Sequence, residues 1–335
     1  MNSRTALGLV GAALCATFLT VVAVGEDGSG GGVASSAPLA PPNGPYVALG
    51  DSYTAGPKIP GQSGKPVGCD RSDRNYPALV ADGLGLGAAE FRDVSCSGAT
   101  VGDLLAPQST DDGVNPAQLS AVTTATRLVT VGIGGNDIGF GSLITACVKD
   151  GVRYQVASRF EAGAVDDAPC RKRYVLGGAD EVAARIDAAG RRLSAALTDI
   201  RRRAPEARVY VVGYPSILPD GDGDGDGDGD GDGDGGCGRA TGLAPGDVSF
   251  LREKERQLDT MLRERAKDAG AGYVDTYAPS VGRDACADED VRWVEPLIPS
   301  APAAPMHPNE RGERGMARAV LRAVRAVLRA VRAAG

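Results

Sequence analysis

The sequence predicts an α/β fold in which a doubly wound parallel sheet is covered by helices on both faces. Short apolar runs are typical of buried strands, and helical patterns separate most of them. Strands that alternate with helices imply a parallel sheet packed on both sides. The five predicted strands are Tyr46–Leu49, Phe91–Ser95, Leu128–Ile133, Val209–Gly213 and Tyr273–Val274.

Three segments show helical periodicity. Residues 178–204 and 247–269 each place apolar side chains on one face of a helix. In the first range these include Val182, Ile186 and Leu193. Residues 317–334 predict a basic amphipathic C-terminal helix. Its arginines form the exposed face of a packed helix or, alternatively, contact an anionic membrane surface. These arginines are Arg318, Arg322, Arg325, Arg329 and Arg332.

The first 44 residues predict export. Residues 1–25 have the composition of a signal peptide, with Arg4 before an apolar run and small residues at a cleavage site. An uncleaved membrane anchor with the domain facing outside is the alternative, because the run nearly reaches the length of a bilayer. Residues 26–44 are rich in Gly, Ser and Pro and predict a flexible linker. A single domain is expected from residue 45 to 335.

Charge and composition exclude several partners. The net charge is −7, but residues 220–236 hold eight aspartates in a Gly-Asp alternation. The remaining chain is close to neutral, so no nucleic-acid partner is expected. The tract resembles a calcium loop, but it lacks the bidentate glutamate that such loops need. We therefore expect a solvated loop and no metal site, with weak, low-order cation binding as the alternative.

The cysteines also indicate an exported protein. Apart from Cys15, six cysteines remain, an even number that predicts three disulfides in an oxidising compartment. None shows the C-x-x-C spacing typical of zinc or redox sites. Six cysteines allow 15 pairings, and the sequence does not choose among them.

Polar motifs follow three of the predicted strands. In a doubly wound sheet, ligands bind beyond the carboxyl ends of the strands, so motifs at these ends converge. The three motifs are Gly50-Asp51-Ser52-Tyr53, Ser97-Gly98-Ala99-Thr100 and Gly134-Gly135-Asn136-Asp137.

Ser52 is the predicted nucleophile. At a strand-to-helix junction its hydroxyl is accessible and its amide belongs to the unpaired donors of a helix start. A plain helix-capping serine is the alternative. The amides of Ser52 and Gly98 and the side chain of Asn136 together supply the donors that an ester oxyanion needs. His307 is the only histidine, so it alone offers the imidazole base that such a serine requires.

These blocks closely resemble the SGNH hydrolases, also called the GDSL lipase/esterase family. The resemblance covers residue 45 to the end and is closest to exported three-disulfide lipases and esterases of actinobacteria. It implies a three-layer α/β/α sandwich with a flavodoxin-like, five-stranded sheet. It also implies a Ser-His site without metal or organic cofactor. In that group each disulfide joins two cysteines that follow one another along the chain. The resemblance therefore implies the disulfides Cys69–Cys96, Cys147–Cys170 and Cys237–Cys286.

The sequence departs from the family at one position. Many members carry an aspartate three residues before the histidine, where this chain has Ala304. The resemblance implies that the Ala304 carbonyl orients His307 instead. Carboxylates that reach the ring from a loop are the alternative, namely Glu295, Asp288 or Asp290.

The expected function is a secreted, monomeric ester hydrolase that forms an acyl-enzyme. Residues 138–176 contain Phe140, Leu143, Ile144, Tyr154 and Phe160, which favours an acyl-chain pocket and lipid-type or simple carboxylic esters. Transient contact with a lipid surface is compatible with this substrate. The alternatives are a carbohydrate acetylesterase of the same family and a non-catalytic exported binding protein on this scaffold.

Overall fold

The computed structural model describes residues 44–160, 165–219, 237 and 241–334, with side chains up to residue 326. The predicted signal peptide, the linker up to residue 43 and the Gly-Asp tract lie outside the described residues. So do the side chains of Arg329 and Arg332.

The strands of the central sheet are β1 Tyr46–Gly50, β2 Phe91–Asp93, β3 Leu128–Gly132, β4 Arg208–Val212 and β5 Gly272–Val274. All five are parallel and lie in the order β2-β1-β3-β4-β5. This order defines a flavodoxin-like doubly wound sheet, and the predicted fold class is confirmed. Two short antiparallel hairpins lie outside the sheet, Gln108–Thr110 with Gly113–Asn115 and Val175–Leu176 with Ala179–Asp180.

Helices connect the strands and cover both faces of the sheet. The two long helices predicted at residues 178–204 and 247–269 are present within three residues of their expected ends. In chain order the described helices are α1 Ser52–Ala55, α2 Tyr76–Gly83, α3 Val101–Leu105, α4 Phe140–Phe160, α5 Pro169–Tyr174, α6 Glu181–Arg203, α7 Pro245–Asp268 and α8 Glu310–Ala334.

The C-terminal helix α8 begins at Glu310, seven residues before the predicted start at residue 317. The side chain of Asn309 accepts hydrogen bonds from the amides of Arg311 and Gly312, each at 3.0 Å, and so caps the helix. Buried Val320 and Val324 face the sheet. The described arginines of this helix are exposed, which agrees with a packed amphipathic helix.

Alternating side chains of β1 divide the core between the two faces. Tyr46 and Ala48 pack in a cluster with α2 and α8, whereas Val47 and Leu49 pack in a second cluster with α6 and α7. Each fully buried apolar side chain contributes about 2 kcal/mol from transfer out of water. The sheet is therefore a rigid base for the loops at its carboxyl edge.

Within the described ranges, no helix is both long and apolar enough to cross a membrane. The same residues contain no cluster of His, Cys, Asp and Glu side chains with the arrangement of a metal site.

Candidate active site

Ser52 is the first residue of α1, immediately after β1. Asp51 caps this helix, because its side chain accepts a hydrogen bond of 2.9 Å from the amide of Tyr53. The Asp51 amide donates to the carbonyl of Gly132 at the end of β3, at 3.0 Å. The Ser52 amide is a first-turn donor without a partner inside the helix. The serine is thus fixed at the point where the strand order reverses between β1 and β3.

A buried aspartate and tyrosine join the loops after β1, β3 and β4. The Tyr214 hydroxyl donates to the second oxygen of Asp51 and accepts a hydrogen bond of 2.8 Å from the amide of Gly135. Burial raises the pKa of Asp51 to about 7, and the hydrogen bonds from Tyr214 and Tyr53 limit this rise. Asp51 therefore supports the nucleophile's helix.

The Gly98 loop lies beside Ser52 and is held by the Cys69–Cys96 disulfide. The Ser97 amide donates to the carbonyl of Cys69 at 3.1 Å. Gly98 has a φ of +77°, a left-handed conformation that favours glycine. No Cβ blocks the approach of a substrate to its amide.

Asn136 faces the same cavity from the loop after β3. One N–H of its carboxamide donates to the carbonyl of Ala99 at 2.9 Å. A carboxamide nitrogen carries two hydrogens, so the second remains for a ligand. The neighbouring Asp137 accepts a hydrogen bond of 2.8 Å from the amide of Val101. The Gly98 and Asn136 loops therefore hold each other in place.

His307 contacts the serine directly. Its Nε2 lies 2.8 Å from Ser52 Oγ, and its Nδ1 lies 2.7 Å from the carbonyl oxygen of Pro305. Since a carbonyl only accepts, Nδ1 carries the proton and donates it to Pro305. Nε2 is then free to accept the hydrogen of the serine hydroxyl.

The carbonyl that orients the ring is that of Pro305, one residue after the predicted Ala304. The Ala304 carbonyl accepts the backbone amide of His307 at 3.2 Å and is not the partner of the ring. Met306 has a φ of +59°, and this left-handed residue turns the chain between Pro305 and His307. The Pro305 carbonyl is therefore the one that meets Nδ1.

The alternative carboxylates do not reach the ring. Glu295 is buried and accepts hydrogen bonds from Asn309 Nδ2 at 2.7 Å and from the amides of Ser300 and Ala301. Burial would raise the pKa of Glu295, but these bonds outweigh it and hold the pKa below its usual range. Asp288 and Asp290 are exposed. Of the described carboxylates, none is hydrogen-bonded to His307.

Tyr53 fixes the histidine loop to the helix of the nucleophile. Its hydroxyl donates to the carbonyl of Met306. Its ring lies 4.8 Å from the imidazole of His307 and 5.1 Å from the ring of Tyr214, between centroids. These contacts hold the His307 loop against α1, although no described carboxylate is hydrogen-bonded to the histidine.

Burial lowers the pKa of His307 below 6.5, and the hydrogen bond to Pro305 opposes this only in part. We expect kcat/KM for a neutral ester to fall as the pH decreases through a midpoint below 6.5, because the protonated imidazole accepts no proton. The measurement is a pH profile from 4.5 to 8 with 4-nitrophenyl butyrate. A midpoint above 6.5 would contradict this environment for His307.

A cavity of about 420 Å³ opens beside Ser52 and His307 and is also lined by Gly98 and Asn136. The structure thus brings all four predicted site residues together. The apolar wall of the cavity includes Phe140, Ile144, Ile217, Leu258 and Leu297.

The predicted acyl segment at residues 138–176 contributes less than expected. Phe140 and Ile144 line the cavity, but Leu143 is buried in the core. Tyr154 does not line the cavity, and the Phe160 side chain is 83% exposed at the end of α4. The four-residue spacing of Phe140 and Ile144 places both on the cavity face of α4, which Gly141 and Thr145 also line.

The supporting roles of Tyr53 and Tyr214 are not among the predictions from the sequence. A signal for Tyr214 was present, because it follows β4 as Ser52 follows β1 and Asn136 follows β3. Tyr53 carried no such signal, since its partner Met306 is distant in sequence.

The disulfides of the structure are Cys69–Cys96, Cys147–Cys170 and Cys237–Cys286. These are the pairs that the family resemblance implied. The first anchors the Gly98 loop, and the second ties α4, which forms part of the cavity wall, to α5.

A serine that is hydrogen-bonded to an imidazole at the carboxyl edge of a parallel sheet is the arrangement of a serine hydrolase. The model of the GDSL-like lipase/acylhydrolase family matches residues 48–314. Lipase 2 of Streptomyces coelicolor is 39% identical over 283 residues, which are 83% of this chain and 86% of the relative. The chain belongs to the GDSL-like lipase/acylhydrolase family, as its four motif blocks predicted. It is a carboxylic ester hydrolase.

Two solved structures have the same fold. Phospholipase A1 from Streptomyces albidoflavus superposes with a TM-score of 0.62 and 26% identity, over 84% of this chain and 98% of that enzyme. The extracellular lipase from Streptomyces rimosus gives a TM-score of 0.61 and 25% identity, over 85% and 99%.

Proposed function

We propose that this protein is a secreted serine hydrolase that cleaves lipid-type carboxylic esters through a Ser52–His307 dyad. The observation that carries the proposal is the 2.8 Å contact between His307 Nε2 and Ser52 Oγ, with Nδ1 bonded to the Pro305 carbonyl. This geometry leaves the imidazole in the tautomer that accepts a proton from the serine.

In the acylation step, His307 takes the hydroxyl proton of Ser52 while Oγ attacks the ester carbonyl carbon. The carbonyl oxygen becomes an oxyanion, which the amides of Ser52 and Gly98 and the carboxamide of Asn136 stabilise. The bond to the alcohol oxygen then breaks, and His307 returns the proton to the leaving alcohol.

Deacylation uses the same groups in reverse. His307 takes a proton from water, and the hydroxide attacks the acyl carbon of the Ser52 ester. The acid leaves as Ser52 regains its proton. The imidazolium that forms in each step is stabilised by the Pro305 carbonyl dipole, which supports it less than a carboxylate would.

The lipid-type substrate is supported by the apolar wall of the cavity and by the lipases among the relatives. The family assignment favours an enzyme over the alternative of a non-catalytic binding protein. Export is supported by three disulfides, which form and persist in oxidising compartments.

A panel of 4-nitrophenyl esters tests this substrate class. We expect kcat/KM to rise from acetate to hexanoate by about fourfold per methylene, because each buried methylene gains about 0.8 kcal/mol. Ile144→Trp, which fills the cavity, should move the optimum to shorter chains. Val156→Trp is the matched control, because Val156 is exposed on the same helix and does not line the cavity.

Ser52→Ala should abolish hydrolysis of every ester in this panel, whereas Ser158→Ala on the exposed face of α4 should retain it. A sharp optimum at acetate in the unmodified protein would instead support the carbohydrate acetylesterase alternative.

A further inference from the structure

One acidic side chain interrupts the apolar wall of the cavity beside Ser52. Glu255 lies on α7 three residues before Leu258, so both side chains share the helix face that lines the cavity. Glu255 is only 2% exposed. Moving a carboxyl group from water into apolar surroundings is unfavourable, and the catalytic steps do not use this one. Its position in the wall therefore requires another explanation.

Only one oxygen of the Glu255 carboxyl is hydrogen-bonded. Oε1 accepts a hydrogen bond of 2.8 Å from the amide of Ile217, which also lines the cavity. Oε2 is buried and has no hydrogen-bond partner among the described residues. A buried polar atom without a partner destabilises the fold. In an apolar pocket, a single polar group of this kind is typical of a contact that orients a ligand.

The surroundings of Glu255 favour the protonated acid. Burial raises the pKa of Glu255 well above its usual range, and the carboxylates of Asp259 and Asp284 raise it further. The amides of Ile217 and Leu218 offset this rise only in part. Because Oε1 already accepts a hydrogen bond, the acid carries its proton on Oε2. Oε2 is therefore a hydrogen-bond donor in the cavity wall.

The helix that carries Glu255 belongs to the part of the cavity left for the acyl chain. His307 returns its proton to the leaving alcohol, so the alcohol portion lies beside the histidine. Helix α7 packs instead against α4 and the loop of Asn136. A Cβ at Gly134 in this loop would lie 3.6 Å from Leu258 Cδ1. Glu255 thus extends the same wall that the apolar residues of α4 begin.

We propose that Glu255 is a specificity-determining residue that donates a hydrogen bond to an oxygen atom within the acyl chain. The substrates are carboxylic esters whose acyl chain carries an ether, hydroxyl or carbonyl oxygen. The apolar parts of such a chain still pack against Phe140 and Ile144. An unsubstituted chain leaves the donor unpaired and is disfavoured for that reason. This assignment rests on the proposed function and specifies the acyl portion of its substrate.

A scan with ether oxygens tests this contact. The reference is 4-nitrophenyl hexanoate, and in three further esters an oxygen replaces the methylene at position 3, 4 or 5 of the acyl chain. An ether oxygen is close in size to a methylene and only accepts hydrogen bonds. Each kcat/KM is divided by the rate constant of alkaline hydrolysis, which removes the intrinsic reactivity of the ester. We expect one ether ester to exceed hexanoate about fivefold.

Two variants of Glu255 separate hydrogen bonding from packing. Glu255→Leu removes the donor and should lower the preference for that ether ester about tenfold. Glu255→Gln keeps an acceptor for the amide of Ile217 and replaces the acid with an N–H donor, so it should retain the preference within about twofold. Glu264→Leu is the matched control at an exposed position of α7 and should leave the preference unchanged. Thermal unfolding verifies that each variant is folded.

The same loss of kcat/KM for all four esters in Glu255→Leu would assign Glu255 a structural role and overturn the subsite. If that variant does not fold, the scan of the unmodified protein and of Glu255→Gln decides. Cleavage of hexanoate without a preference for any ether ester would overturn the subsite and leave the proposed function intact.

If the unmodified protein cleaves no ester, the proposed function is wrong. The subsite is then judged by calorimetric titration of Ser52→Ala with the N-butyl amides of hexanoic acid and of the three ether acids. We expect one ether amide to bind about fivefold more tightly than the hexanoic amide, and addition of Glu255→Leu to remove this difference. Equal affinities for all four amides would overturn the subsite independently of catalysis.

Discussion

Replacing His307 with glutamine is expected to lower kcat about 10⁴- to 10⁶-fold, the loss typical of a serine hydrolase without its base. Glutamine has a similar volume and can still donate to the Pro305 carbonyl, but it has no nitrogen that accepts a proton near neutral pH. The measurement is steady-state hydrolysis of 4-nitrophenyl butyrate, with thermal unfolding to verify that the variant is folded.

Glu295→Gln tests whether the site is a Ser52–His307 dyad or a triad that Glu295 completes. A carboxylate that completed a triad would cost about 10⁴-fold in kcat when neutralised. Because Glu295 is bonded to Asn309, Ser300 and Ala301 and not to His307, we expect less than about tenfold loss of kcat together with reduced thermal stability. A loss of kcat comparable to that of His307→Gln in the folded variant would contradict the Pro305 assignment.

Asn136→Ala should lower kcat about 10²- to 10³-fold with little change in KM, because the carboxamide is needed mainly once the oxyanion has formed. The substitution also removes the hydrogen bond to the Ala99 carbonyl, so part of the loss can arise from a displaced loop.

Gln108→Ala isolates the effect of a displaced loop. The Gln108 carboxamide donates to the carbonyl of Ser97 at 2.8 Å and so supports the same loop, but it does not line the cavity. We expect Gln108→Ala to reduce kcat by less than about tenfold, since one supporting hydrogen bond contributes about 1 kcal/mol. Similar losses for both variants would assign Asn136 a positioning role only.

The sequence predicted Ser52, Gly98 and Asn136 as neighbours because all three follow parallel strands. The carboxyl ends of such strands share one edge, so chain order and strand spacing suffice for this step. His307 was predicted by elimination, since no other histidine is available.

The details around His307 depend on features that local sequence does not encode. Methionine rarely adopts left-handed backbone, so the turn at Met306 that presents the Pro305 carbonyl had no signal. The bond from the Tyr53 hydroxyl to Met306 forms only when the first and last parts of the domain meet. Similarly, the sequence of α4 does not distinguish the core residue Leu143 from the cavity residue Ile144. Both are apolar and both are buried, so the same pattern fits either environment.

We propose that Ser52 is a nucleophile activated by His307. The most direct measurement is mass spectrometry of the intact protein and its peptides after reaction with a fluorophosphonate. We expect one adduct, located on Ser52, with a labelling rate reduced at least about 10³-fold in His307→Gln. An adduct on another serine, or unchanged labelling of Ser52→Ala, would contradict the claim.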